Sequence, residues 1–160
     1  VTGIDPAAET IEAARAHARA AGLDIEYEAT TAEATAAKDK TYDVVLLLEV
    51  VEHVPDVPAL LKAVAPLVKP GGIMILSTLN RTLKAYALAI VGAEYILRWL
   101  PIGTHQWERF VRPEELGAAL SAAGLKLTDT TGMVYNPLAD EWRLGPDTDV
   151  NYFATALRQG

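Results

Sequence analysis

The alternation of short β-branched runs with Ala- and Leu-rich stretches is the feature that most constrains the fold of this 160-residue chain. Such alternation predicts an α/β domain in which helices cover a mostly parallel sheet. Its clearest strand is YDVVLLL, residues 42–48, an apolar run without alternation that is typical of a strand buried on both faces. We therefore predict that residues 42–48 lie in the middle of the sheet.

Residues that start or stop helices bound the remaining elements. Asp5 and Pro6 predict the N-cap and first position of a helix over residues 7–21, which Gly22 ends. Residues 69–72, KPGG, predict a turn. Further helices are predicted over residues 57–68, 83–100 and 113–123, and strands over 1–4, 25–28, 73–77, 125–133 and 152–157. The last two strands are predicted to form an antiparallel pair across a polar loop, residues 136–149.

Composition excludes several classes of protein. The chain is 51% hydrophobic and 22% charged, which fits one globular domain over residues 1–160. It contains no cysteine, so disulfides, thiolate metal sites and cysteine nucleophiles are excluded. The net charge of -7 argues against nucleic acid as a partner.

An acidic residue, Asp5, follows the first predicted strand. In doubly wound sheets, ligands bind outside the carboxyl ends of the strands, where an acid can accept hydrogen bonds from two ribose hydroxyls. The alternative is that Asp5 only caps the helix that follows it. Both interpretations fit this segment.

Glu49, Glu52 and His53 follow strand 42–48 at helical spacing. Their side chains would share one face of a helical turn. Two carboxylates and an imidazole suit Mg²⁺, Mn²⁺ or Fe²⁺ better than Zn²⁺, so these residues are candidate metal ligands. The alternative is a solvated turn whose carboxylates cap the helix beginning near Val57.

The apolar segment at residues 83–100 is interrupted by Lys84, Glu94 and Arg98, which disfavours a membrane-spanning helix. Residues 80–112 contain five basic and two acidic residues, in contrast to the acidic chain as a whole. Basic residues beside an apolar helix suit the surface of an anionic membrane. The alternatives are a lid over the active site and a buried core helix.

Several stretches together resemble a known family. VTGIDPA, YDVVLLLEVVEHV and LLKAVAPLVKPGGIMILST are similar to successive strand motifs of S-adenosylmethionine-dependent methyltransferases with a Rossmann-like sheet. NRTLKAYALAIVGAEYILRWLPIGTHQWERFVRPEEL resembles the ubiquinone-biosynthesis O-methyltransferases, the bacterial 3-demethylubiquinone and 2-polyprenyl-6-hydroxyphenol family with its mitochondrial relatives. The resemblance implies an enzyme that uses S-adenosylmethionine to methylate a polyprenylated phenol or catechol in ubiquinone biosynthesis.

The resemblance also implies which residues bind the cofactor. Asp5 would bind the cofactor ribose, and Leu48 would line the cofactor pocket at the end of the strand. Glu33, in TTAEAT, would approach the adenine. The sheet implied by the family is mostly parallel with an antiparallel last strand.

Roles in the chemistry follow in the same way. Glu49, Glu52 and His53 match positions implied to bind Mg²⁺, which would lower the phenol pKa from about 10. His105, in GTHQW, is a second candidate catalytic residue beside His53, because imidazole titrates near working pH. The alternative for His105 is a loop residue bonded to the backbone.

One departure from the family pattern concerns the cofactor loop. No G-x-G-x-G occurs in the chain, and the family's first strand and glycine loop would precede Val1. We therefore expect an N-terminally truncated fold that lacks both elements and is inactive by itself. Absence of the glycine fingerprint and of a Tyr-x-x-x-Lys pair disfavours a nicotinamide-dependent oxidoreductase.

The remaining expectations concern location and partners. The resemblance implies a cytoplasmic bacterial enzyme, peripheral at the inner membrane through the inserted segment 80–112, and a ubiquinone-biosynthesis complex as partner. One alternative function is methylation of another small molecule on the same fold. The other is a non-catalytic remnant that binds quinone or lipid.

Overall fold

A computed structural model describes residues 1–38, 40–136 and 139–160, and the chain divides into two compact units, Val1–Thr41 and Tyr42–Gly160. The first unit follows the predicted order of elements. Its two strands pair in parallel, with Thr2 opposite Glu26 and Asp5 opposite Ala29. The elements are β1 (Thr2–Asp5), α1 (Ala8–Ala21), β2 (Glu26–Ala29) and α2 (Ala32–Ala36).

Helix α1 ends where the sequence predicts and begins slightly later. Gly22 has a φ of 66°, a left-handed conformation that glycine adopts without steric cost, and it stops the helix. The predicted N-cap is wrong, because the cap position belongs to Ala7. Asp5 instead accepts a hydrogen bond from the Ala7 amide at 2.7 Å, which closes a turn between β1 and α1.

The second unit contains a five-stranded sheet in the order β3-β4-β7-β5-β6. Among the described residues of this sheet, only the β3–β4 pairing is parallel, so the sheet is mixed and the expectation of a mostly parallel sheet is wrong. Strand β5 lies between β6 and β7 and pairs antiparallel with both. A parallel neighbour would need a crossover connection, usually a helix, but the segment between β5 and β7 carries β6. The antiparallel last strand is confirmed. The strands are β3 (Tyr42–Leu48), β4 (Val68–Leu79), β5 (Leu125–Asn136), β6 (Glu141–Gly145) and β7 (Asn151–Arg158).

Strand β3 has the predicted bounds but a different environment. It pairs only with β4 and forms one edge of the described sheet, so the expected central position is wrong for these residues. Val44, Leu46 and Leu48 share one face, because side chains alternate along a strand, and they are 49%, 57% and 46% exposed.

Strand β4 begins earlier than predicted. The helix predicted to reach Val68 stops at Val64 and is followed by a 3₁₀ turn, Ala65–Leu67. The predicted KPGG turn lies inside β4, where the register with β3 shifts. Gly72 allows this close pairing, since a Cβ there would lie 2.8 Å from the carbonyl oxygen of Asp43.

Two helices cover the sheet of the second unit, α3 (Val57–Val64) and α5 (Pro113–Ala122). Leu61 and Leu120 are completely buried, as are Met74 and Ala154 of the sheet. The loop predicted over residues 136–149 contains strand β6, and within it Pro137 and Leu138 lie outside the described residues.

The apolar segment forms one helical stretch, the 83–96 helix, which ends before the predicted Leu100. It consists of α4 (Leu83–Ala85) and a π-helix, Tyr86–Ile96, with hydrogen bonds from residue i to i+5. Thr82 caps it by accepting a hydrogen bond from the Ala85 amide at 3.0 Å. No helix of the described residues is long and apolar enough to cross a membrane.

Candidate active site

Glu49 stands directly after β3, beside the carboxyl half of β4. Its amide donates to the Ser77 carbonyl and hydroxyl oxygens at 3.0 and 3.1 Å, and the Ser77 hydroxyl donates to the Glu49 carboxylate at 2.7 Å. Glu49 has a φ of 53°, which is costly for a residue with a side chain. Strained backbone of this kind concentrates at functional sites. The carboxylate is therefore fixed at the strand end.

Glu52 lies one turn further on, in the 3₁₀ turn Val51–His53, and is only 3% exposed. Its Oε2 accepts a hydrogen bond from the Thr78 hydroxyl at 2.8 Å, while Oε1 has no partner among the described residues. Burial raises the pKa of Glu52 to about 7, and the negative charge of Glu49 adds to the rise. The hydrogen bond from Thr78 lowers the pKa, but its effect is smaller than that of burial. Glu52 can therefore take up or release a proton near neutral pH.

His105 is held by a buried carboxylate. Glu94, on the 83–96 helix, is 1% exposed, and its Oε1 accepts from the His105 amide at 2.8 Å and lies 2.9 Å from Nδ1 of the His105 ring. The ring of Phe110 meets the His105 ring edge-on, with 5.9 Å between centroids. These contacts fix the orientation of the imidazole.

A small cavity of about 20 Å³ joins these groups. The volume has room for about one water molecule or one substrate oxygen. Glu52 and both candidate catalytic histidines, His53 and His105, line this cavity. The lining residues are Glu52, His53, Thr104, His105, Gln106, Arg109 and Phe110.

A larger cavity of about 460 Å³ shares Arg109 and Phe110 with the small one. On one side, Arg81 pairs with the Glu115 carboxylate and donates to the Glu108 carbonyl at 3.2 Å. The other side is apolar, so the cavity can accommodate an apolar group beside the cluster. Its remaining lining residues are Val54, Pro55, Val57, Pro58, Val111 and Ala119.

The metal role of Glu49, Glu52 and His53 stays a prediction, which the described geometry does not support. Glu49 and Glu52 lie close together, but His53 is exposed, and the described residues contain no group of three or more side chains that could hold a metal ion. The alternative that these carboxylates cap the helix beginning near Val57 is wrong. Asp56 caps α3 instead, accepting from the Ala59 amide at 2.9 Å.

The predicted cofactor contacts lie at three strand or helix ends. Asp5 uses Oδ1 for the Ala7 amide, and Oδ2 accepts no hydrogen bond from the described residues. Glu33 is exposed in the first turn of α2, which Thr31 caps. Leu48 ends β3, opposite Ser77 and half exposed. Their cofactor roles stay predictions.

Sequence reasoning missed Glu94, Ser77 and Thr78 as parts of the site. The first had a signal, because Glu94 is the only acid in the apolar run YALAIVGAEYI and a buried acid needs a partner. Ser77 and Thr78 carry no comparable signal, because hydroxyl residues are common at the ends of strands.

Comparison with known proteins identifies the family. A family model described as "Methyltransferase domain" matches residues 1–130. This chain belongs to the methyltransferase-domain family. Among curated relatives of this methyltransferase-domain chain, a ubiquinone biosynthesis O-methyltransferase from Brucella anthropi is 59% identical over 158 residues. The match covers 99% of the chain and 64% of the Brucella anthropi protein, so the chain spans slightly less than two thirds of that length.

Solved structures support the fold of the methyltransferase-domain chain. A SAM-dependent methyltransferase from Thermotoga maritima, described as a possible histamine N-methyltransferase, matches with a TM-score of 0.70 at 18% identity, over 99% of this chain and 72% of that one. Magnesium protoporphyrin IX methyltransferase from Synechocystis PCC 6803, solved with bound SAH, matches with a TM-score of 0.66 at 18% identity, over 99% and 64%.

Proposed function

We propose that this chain functions in the S-adenosylmethionine-dependent O-methylation of a polyprenylated phenol or catechol in ubiquinone biosynthesis. The observation that carries the proposal is the 59% identity to a protein of that name along 99% of the chain. Because the match covers 158 of the 160 residues, it includes both segments that form the candidate site, residues 49–53 and 94–110. The acid–base cluster at the small cavity is what such a reaction requires.

The chain's part in the reaction is to activate a weakly nucleophilic oxygen. A phenol with a pKa of about 10 is mostly protonated at neutral pH. In the proposed step His105 takes the hydroxyl proton on Nε2, and the oxygen then forms its bond to the methyl group as the bond from that methyl to sulfur breaks. S-adenosylmethionine supplies the methyl group as a sulfonium. Glu52 and His53, on the same cavity, can accept the proton from His105.

Three residues of the chain suit the cofactor by their chemistry. Asp5 keeps one carboxylate oxygen free at the carboxyl end of a strand, where an acid binds ribose hydroxyls in related sheets. Leu48 offers an apolar surface, and Glu33 an exposed acceptor. We also propose that, in the full-length protein, a further strand that carries the glycine loop pairs with the open edge of β3.

Mg²⁺ binding by Glu49, Glu52 and His53 is a separate hypothesis. It rests on the residue types and the family resemblance, whereas the described geometry does not group the three side chains. No step of the proposed reaction is assigned to the metal. Activity that survives exhaustive chelation would contradict the hypothesis and leave the proton transfer to His105 intact.

Residues 80–112 are proposed to bind the surface of the bacterial inner membrane, where polyprenylated substrates reside and partner enzymes of the pathway would act. Arg81 pairs with Glu115, and Lys84 pairs with Asp147 and Asp149. Attraction to anionic lipid would therefore come from the other basic residues of the segment. The exposed apolar side chains of this segment are Leu83, Tyr86, Leu88, Tyr95, Ile96, Leu97, Trp99, Leu100 and Ile102.

Vesicle flotation of the full-length protein tests the membrane proposal. Leu88→Ser with Ile96→Ser should remove most binding to phosphatidylglycerol vesicles, because both side chains are more than half exposed. Leu23→Ser, a matched change of an exposed leucine in the other unit, should have no effect. Equal flotation of all three proteins, or none for the wild type, would leave residues 80–112 as a substrate lid.

The function itself is tested with the full-length protein, S-adenosylmethionine carrying a labelled methyl group, and a short-chain prenyl catechol. Mass spectrometry should detect the labelled methyl ether. Calorimetric titration with S-adenosylhomocysteine separates the enzyme from the non-catalytic alternative. A protein that binds prenyl catechol, but neither binds S-adenosylhomocysteine nor turns over, would contradict the proposal.

A further inference from the structure

We propose that Glu94 is a positioning residue that fixes the ring of His105 for proton abstraction, and that it thereby makes the base depend on the folded 83–96 helix. The inference rests on the proposed function, in which His105 takes the substrate proton. It assigns a role to Glu94, the one acid in the π-helical part of the 83–96 helix, Tyr86–Ile96.

The contacts of Glu94 are concentrated on one short stretch of loop. Its Oε2 accepts a hydrogen bond from the Gly103 amide at 2.7 Å, and Oε1 accepts one from the His105 amide at 2.8 Å. The His105 ring nitrogen Nδ1 lies 2.9 Å from Oε1. The carboxylate thus holds both the backbone that carries the imidazole and the imidazole itself.

The bond to Nδ1 determines which ring nitrogen can act as a base. Burial raises the pKa of Glu94, but hydrogen bonds from the Gly103 and His105 amides and from the His105 ring outweigh it, so the net pKa is lowered. An ionised carboxylate only accepts hydrogen bonds, so Nδ1 must carry the proton. In the neutral ring, Nε2 then keeps its lone pair free to accept the substrate proton.

The surroundings of the ring fit this role. His105 is 13% exposed on its side chain and lines the small cavity, and Phe110 packs against its edge. The titratable groups that share the cavity are Glu52, His53 and Arg109. When the ring takes up a proton, the ionised Glu94 stabilises the imidazolium, as the carboxylate does in a carboxylate–histidine pair.

A purely structural role would need only the two amide bonds, which tie the loop to the helix. The contact between Glu94 and Nδ1 is not needed to hold the loop against the helix, but it determines the tautomer of the His105 ring. Since Glu94 lies on the π-helical part of the 83–96 helix, any change that unwinds this helix would release the ring. Glu94 therefore connects His105 to a helix whose exposed face is apolar.

The test compares Glu94→Gln, Glu94→Asp, His105→Ala and the Glu94→Gln/His105→Ala double variant of the full-length enzyme. Glu94→Gln should lower kcat on the order of 100-fold with little change in KM. Glu94→Asp should recover part of kcat, and the double variant should be no slower than His105→Ala. Glu114→Gln, an exposed acid on α5, is the matched control.

Nitrogen-15 NMR of His105 gives a readout independent of turnover. The wild type should show Nδ1–H, and Glu94→Gln should show a mixture of tautomers. S-adenosylhomocysteine affinity and the melting temperature establish that each variant is folded.

A proton on Nε2 of His105 in the folded wild type would overturn the assignment. A folded Glu94→Gln variant with the kcat of the wild type would overturn it as well. Full activity of His105→Ala would remove His105 as the base and the assignment with it, while methylation itself stands. Absence of methylation by the wild type would instead refute the proposed function.

Discussion

Glu52 should make the stability of the folded protein fall as pH rises. Its pKa is raised from an ordinary value of 4.5 to about 7 by burial, so between these values the folded protein holds a proton that the unfolded chain has lost. Stabilisation of the folded state is complete below pH 4.5 and is lost as pH rises through 7. One pH unit corresponds to about 1.4 kcal/mol, so the loss over this window is about 3 kcal/mol.

Glu52→Gln tests the reasoning, because the amide keeps the shape of the protonated acid and cannot ionise. Its oxygen can accept the hydrogen bond from Thr78, and its nitrogen replaces the unpartnered oxygen Oε1. The variant should match the wild type near pH 4.5. At pH 8 it should be more stable by about 3 kcal/mol.

Urea unfolding of the full-length protein, followed by tryptophan fluorescence from pH 4.5 to 8.5 in the presence of a chelator, measures the difference. Glu33→Gln changes an exposed glutamate and should follow the wild type at every pH. Parallel pH dependence of the wild type and Glu52→Gln would refute the reasoning. A Glu52→Gln protein less stable than the wild type at pH 8 would also refute it.

Two further predictions concern the cofactor and the sheet edge. Asp5→Ala should weaken S-adenosylhomocysteine binding by the full-length protein by about 1–3 kcal/mol, measured by calorimetry, since charge-assisted hydrogen bonds to ribose are lost; unchanged affinity would reduce Asp5 to its turn with Ala7. Residues 1–160 produced alone should be inactive and should associate through the open edge of β3, because unpaired strand edges pair with other chains. A cooperative, monomeric melt in sedimentation and calorimetry would contradict that expectation.

Local signals in the sequence predicted the elements well and their assembly poorly. Gly22 ended α1 and the apolar run 42–48 gave the bounds of β3, because both depend on neighbouring residues. The mixed character of the sheet depends on the order and direction in which β5, β6 and β7 pair, and hydrophobic periodicity does not specify either. The edge position of β3 likewise depends on which strands pair.

The site was predicted in separate pieces. Glu52, His53 and His105 were identified from residue type and resemblance, and the fold gathers them around one cavity. Their joint geometry could not be predicted, because it depends on a loop that crosses from the 83–96 helix to α5. Glu94 was treated as an interruption of an apolar helix, since its partners lie nine and eleven residues later and only the folded loop brings them near.

The π-helix at Tyr86–Ile96 implies a trade-off between the stability of this helix and the position of Glu94. Helices with hydrogen bonds from i to i+5 are rare, and they are frequently found at functional sites. If this stretch returned to ordinary α-helical bonding with its length unchanged, Glu94 would turn away from the loop that it holds, because each residue of an α-helix is rotated further about the axis. The α-helical form would be more stable to heat and would lose the alignment of its base. Redesign of this helix toward a consensus sequence or for thermal stability would therefore select variants that have a higher melting temperature and a lower kcat.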